Sequence, residues 1–179
     1  MKVVSTLFFL LCFSTSTISA HDSLSLYIFL LDDCPICIQY SPTINSLHKE
    51  YGEQISFVGY FPNFSSKQEK IDIFRNKYDI EYPLYTDYFK VQAKKYNAQV
   101  TPEVVLFNHT KGEIIYQGRI DNKFYKLGRR RNVVTEHNLK DAIENVLHDR
   151  EIDQPFVEPI GCFINYSDNL NLKTNDNKY

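Results

Sequence analysis

Residues 23–31 (SLSLYIFLL) form an apolar run that stops at Asp32-Asp33 and gives way to Cys34-Pro35-Ile36-Cys37, the opening of a helical pattern at 37–51. A run this continuously apolar suits a strand covered on both faces of its sheet. The pattern therefore predicts a strand that feeds directly into a helix, with two thiols at the junction. Unpaired N–H groups and the macrodipole at a helix start favour an anion. Thiolate is the reactive form of cysteine, so this position lowers the pKa of Cys34 and activates it. Cys37 is close enough along the chain to close a disulfide with Cys34. Pro35 has no N–H to leave unused in the first turn and brings a preset helical φ. A CxxC is also half of many zinc sites, but zinc takes four ligands, and the sequence has no second CxxC and no spaced histidine pair. The expected chemistry is that of a redox dithiol, with no metal and no cofactor.

The compartment read from the N-terminus agrees. Residues 1–20 carry Lys2, an apolar run at 3–13 and a small polar stretch ending Ile18-Ser19-Ala20. That is the layout of a secretory signal peptide, too short for a spanning helix. Cys12 follows Leu10-Leu11 rather than a small residue, so no lipoprotein anchor is expected. Cleavage after Ala20 would remove Cys12 and leave Cys34, Cys37 and Cys162, an odd number for a secreted protein. The mature protein is expected to be soluble and extracytoplasmic, in a periplasm or secreted. A net charge of −2 gives no reason to propose nucleic acid or a membrane surface as partner. Sequons stand at Asn63, Asn108 and Asn165 and matter only where the host glycosylates.

One domain at 21–150 is expected to fold around a core supplied by the 13 Phe and 13 Tyr of the chain. After the helix at 37–51 comes a strand at 55–61 ended by Pro62-Asn63, then a helix capped by Ser65 or Ser66 and running to Tyr78. A short strand at 83–86 and a short helix at 88–96 follow. Residues 103–107 and 113–120 read as a hairpin with Gly112 in its turn, and 136–147 as a final amphipathic helix. The extension at 151–179 contains two prolines, loses apolar content after Ile164 and is expected to be disordered towards its Asn/Asp/Lys-rich end. Alternating strands and helices followed by a hairpin and a helix imply an α/β sandwich with a mixed sheet.

These residues resemble the thioredoxin fold, in the redoxin branch that includes TlpA/ResA-type thiol–disulfide oxidoreductases and AhpC/TSA proteins. The resemblance rests on the CxxC at the first helix, Pro42 five residues beyond Cys37, Thr101-Pro102 before the hairpin, and the stretch from Tyr82 to Gly118 with its Pro83-Leu84-Tyr85-Thr86-Asp87 and Gly112-Glu113-Ile114. It covers about residues 23–148 and implies a three-layer sandwich with a central mixed β-sheet flanked by helices. It also implies a cis peptide bond at Pro102, facing the dithiol, and contact between Thr101 and the backbone of a bound substrate chain. Pro42 should kink the first helix.

The implied function is exchange of disulfides with protein substrates. Cys34 attacks, Cys37 resolves, and a membrane or soluble redox partner recycles the pair. A peroxiredoxin-type peroxidase would carry Thr or Ser three residues before the attacking cysteine and Pro four before that, where this chain has Leu31 and Tyr27. A Sco-type copper chaperone would use CxxxC and a distant histidine, whereas this chain has CxxC. Asp32 and Asp33 are candidates for tuning the thiols, since nearby negative charge raises a thiol pKa, although capping the helix is their more ordinary use. The returning hairpin strand should bring Arg119 near Cys34, to stabilise a thiolate or orient an acidic substrate; the plainer alternative is a pair with Asp121. The basic loop at 126–131 reads as a solvated charge run that would extend the same face. Cys162 has three open readings: a third redox cysteine, a link to another chain, or a buried apolar thiol, the last being favoured.

Overall fold

The computed structural model describes residues 23–166. The signal-peptide reading and the disorder expected at the chain end both fall outside those residues. Ten strands and four helices are found in the described part: β1 (Leu24–Phe29), α1 (Pro35–Tyr51), β2 (Ser56–Phe61), α2 (Gln68–Lys77), β3 (Leu84–Thr86), α3 (Val91–Lys95), β4 (Val100–Thr101), β5 (Glu103–Asn108), β6 (Glu113–Gly118), β7 (Phe124–Lys126), β8 (Arg129–Arg130), α4 (Asn138–Leu147), β9 (Phe156–Val157) and β10 (Cys162–Phe163). The central sheet has the order β3-β2-β1-β5-β6-β9. It is mixed: β1, β2 and β3 are parallel, β5 runs antiparallel to both β1 and β6, and β9 runs parallel to β6.

Period-2 alternation in β1 divides the core. Leu24, Leu26 and Ile28 point to one face and share a core with Phe57, Val104 and Leu106, closed over by Ile44 of α1, Ile71 and Phe74 of α2, and Leu139 and Ile143 of α4. Tyr27 and Phe29 point to the other face, with Tyr60, Val105 and Phe107. This second core is closed by Ala93 of α3, Tyr96, Ala98, and Ile164 and Tyr166 of the C-terminal segment. The apolar run at β1 is thus covered on both sides as expected, and part of that cover comes from the extension.

α1 is one uninterrupted helix that contains Pro42 and begins at Pro35, two residues ahead of the expected start. Gly112 turns the β5–β6 hairpin with φ +67°, a conformation open to glycine. The helix expected to be capped by Ser65 or Ser66 begins instead at Gln68 after Lys67. Ser66 is engaged elsewhere, its hydroxyl donating to the Asp32 carboxylate. Chain past residue 150 is integral to the fold: β9 extends the sheet beside β6 and β10 pairs with β4.

Candidate redox site at the start of the first helix

Cys34 is the N-cap residue of α1, extended at φ −76° and ψ 116°, with no side chain capping the helix start. Its carbonyl accepts the first helical bond from the Ile38 N–H at 3.0 Å. Both Cys34 and Cys37 are buried. The Thr101–Pro102 bond is cis, as the resemblance implied, and Cys34 Sγ lies 3.4 Å from the Thr101 carbonyl oxygen. The dithiol and the Thr-Pro turn therefore do face one another.

Cys34 is disulfide-bonded to Cys162, with Cα atoms 6.3 Å apart, and Cys37 is a free, buried thiol. The expected closure within the CxxC is absent here, and Cys162 is not the unpaired apolar thiol favoured among its three readings. Cys162 arrives on β10, which pairs antiparallel with β4 so that Cys162 stands opposite Thr101 and Phe163 opposite Val100. The Thr101 hydroxyl donates to the Cys162 carbonyl at 3.3 Å. Beyond it, the Ile164 N–H donates to Gln99 O at 3.0 Å. Asn63 clamps the same segment from the other side, its amide donating to Phe163 O at 3.4 Å and accepting from the Asn165 N–H at 3.0 Å. Before the cysteine, Gly161 packs so tightly that an added Cβ would collide with the Thr101 carbonyl.

Burial pushes the Cys37 thiol up to about 12, with the Asp33 charge adding to the rise and hydrogen bonds from Leu31 and Thr101 opposing it. Asp33 thus acts on Cys37 in the direction expected of it. Asp32 does not cap α1: it accepts from Ser66 and faces Lys70 at 3.8 Å, tying the β1–α1 turn to α2. Arg119 is held by Asn138 at 2.8 Å and by the Glu136 carboxylate, at the start of α4. Neither the cysteines nor Asp121 is its partner in these contacts. Asp121 is occupied by the Tyr40 hydroxyl at 2.5 Å and the Lys123 N–H at 2.8 Å.

Two parts of the site were not foreseen. Glu103, next to Pro102, is buried, and its carboxylate accepts from the N–H groups of Gln99 (2.7 Å) and Val100 (3.3 Å) and from the Gln117 amide (2.7 Å). It braces the strand to which the tail is paired. The basic loop is the hairpin β7–β8, and it walls a cleft of about 480 Å³ lined by Ile36, Gln39, Phe124, Leu127, Arg130 and Cys162. Arg130 reaches Gln39 Oε1 at 3.2 Å, joining the hairpin to α1. Among the described residues no three His, Cys, Asp or Glu side chains cluster as a metal site would need.

This architecture is shared with solved structures. The chain is similar to a hypothetical protein of Sinorhizobium meliloti, with 23% identity, a TM-score of 0.70, and 81% of this chain matched to 80% of that one. It is similar also to an uncharacterized conserved protein of Geobacillus kaustophilus (21% identity, TM-score 0.71, 84% of this chain and 80% of that one). A Chlorobium tepidum protein proposed to be a thiol:disulfide interchange protein of the DsbE kind matches at 17% identity and a TM-score of 0.52, over 73% of this chain and 80% or more (81%) of its own. No protein-family model matches the chain, and no curated protein does. The chain has the thioredoxin-like fold.

Proposed function

We propose that the protein is an extracytoplasmic thiol–disulfide oxidoreductase acting on protein disulfides through Cys34. The observation that carries this reading is that Cys34, at a helix start, is joined by a disulfide to an extended strand paired with Thr101. Such a site can hold a cysteine-bearing peptide in position for exchange. The Cys34 thiolate attacks one sulfur of a substrate disulfide; a Cys34–substrate disulfide forms and the other substrate sulfur leaves as thiolate. Cys37 then gives up its proton and attacks Cys34 Sγ, and the bound substrate sulfur leaves and takes up a proton. Cys34 and Cys37 end oxidised, the substrate ends as a dithiol, and a separate redox partner recycles the pair. Run backwards, the same steps donate a disulfide. The secretory layout of residues 1–20 supports the extracytoplasmic assignment, and among the described residues no helix is long and apolar enough to cross a membrane.

The test is insulin reduction with dithiothreitol as the electron source, run on wild type, Cys34→Ser and the double variant Cys37→Ser with Cys162→Ser. Cys34→Ser should lose activity, and the double variant, which lacks both thiols able to attack the bond between Cys34 and substrate, should accumulate a mixed disulfide with insulin. Turnover that survives in Cys34→Ser would overturn the assignment.

A further inference from the structure

We propose that Cys162 is a third redox cysteine, carried on a tethered strand that acts as an internal substrate by occupying the peptide position of the site and exchanging with Cys37 for Cys34. The inference rests on the reading of Cys34 as an exchanging thiol. It deepens that reading by naming an occupant and the kind of segment the site accepts.

The tail is fitted to the site rather than laid across it. Cys162 stands opposite Thr101 in antiparallel pairing and receives its hydroxyl hydrogen bond. Gly161 permits the close approach to the Thr101 carbonyl that any larger residue would block. Ile164 anchors the downstream end in the second core, and Asn63 grips the backbone on both sides of it. Upstream, the Arg119 N–H donates to Val157 O at 3.0 Å, which fixes β9 on the sheet edge. A segment seen by this site is therefore extended, has glycine just before its cysteine, and has an apolar residue two positions after it. Phe163 between them is 76% exposed, so that position is free of the site's demands.

Cys162 reaches Cys34 from the Thr101 strand, whereas Cys37 belongs to α1, so the two compete for the same sulfur from different elements. In the exchange the Cys37 thiolate attacks Cys34 Sγ. The bond between Cys34 and Cys162 breaks, a bond between Cys34 and Cys37 forms, and Cys162 leaves as thiolate and takes the proton that Cys37 lost. No oxidant or reductant is consumed. Of the two oxidised isomers, one leaves the peptide position open and the other has it filled by the chain itself.

The isomers are read by acid quench, alkylation and peptide mapping without reduction, after equilibration of the full-length protein in glutathione buffers. Wild type should yield both bridges. Cys37→Ser should yield only the bridge from Cys34 to Cys162, and Cys162→Ser only that from Cys34 to Cys37. Gly161→Ala loosens the tail without removing a thiol, so it should shift wild type towards the CxxC bridge. Insulin reduction should be faster by about tenfold in Cys162→Ser, as expected when a tethered competitor at millimolar effective concentration is removed. A bridge between Cys34 and Cys162 that never exchanges with Cys37 in any glutathione buffer would mark a structural staple and overturn the proposal. So would an unchanged insulin rate in Cys162→Ser. An unchanged insulin rate in Cys162→Ser leaves the proposed function standing; that function fails if insulin reduction survives Cys34→Ser.

Discussion

At Cys37, loss of hydration outweighs the hydrogen bonds that would favour a thiolate, and its pKa stands at about 12 against an ordinary 9.0. The sign of the consequence is fixed: the folded protein holds this proton more tightly than the unfolded chain. The stabilisation is therefore complete below pH 9.0 and lost as pH rises towards about 12. Near neutrality the thiol is therefore almost wholly protonated, and its attack on Cys34 Sγ draws on a small thiolate fraction that grows as pH rises. In the isomer bridged between Cys34 and Cys162, iodoacetamide at pH 8 should label Cys37 far more slowly in the native protein than in urea; native labelling at the rate of a free thiol would contradict this. Local spacing at a helix start marks Cys34 and Cys37, whereas Thr101 is marked only by the resemblance to the thioredoxin fold. The partners of Arg119, Glu136 and Asn138, lie just before and at the start of α4, whose docking no local pattern reveals. Glu103 was passed over for the opposite reason: a lone acid at the head of an apolar strand gives no sign that three donors converge on it.

Among the elements, the long ones were legible and the short ones were not. β1, α1, β2 and the β5–β6 hairpin follow their hydrophobic periodicity to within a residue or two. β4, β9 and β10 have two residues each, too few for any period, and exist because partner strands supply their hydrogen bonds. α3 is short as well, and its start shows what holds it. Lys90 takes the left-handed conformation at φ 57°, and the buried Asp87 carboxylate accepts from the N–H groups of Gln92 (3.2 Å) and Ala93 (2.8 Å). The cap comes from a residue outside the usual N-cap position. Asp87→Ala strands these donors and should lower stability by about 1–2 kcal/mol in urea unfolding. Because Ala93 packs in the same small core as Ile164, the variant should also loosen the tail, detectable as faster amide exchange at Ile164.

At the scale of the whole molecule, a mixed sheet flanked by helices is readable in the sequence, whereas the strand order and the packing of the C-terminal segment are not. Cys162 lies 128 residues from its partner, and nothing in Glu158-Pro159-Ile160-Gly161-Cys162 declares which sulfur it meets. That separation has a further consequence. A bridge between Cys34 and Cys162 turns nearly all of the described fold into a covalent ring, whereas a bridge between Cys34 and Cys37 closes a loop of a few residues. In the chain-entropy account the larger ring restricts the unfolded chain more, by about 3 kcal/mol. Oxidised Cys37→Ser should therefore resist urea better than oxidised Cys162→Ser by about that amount. Moving one sulfur–sulfur bond along the chain, with no change in oxidation state, would convert a cyclised polypeptide into a linear one, so a single protease cut in an exposed loop would release two fragments from one isomer and none from the other.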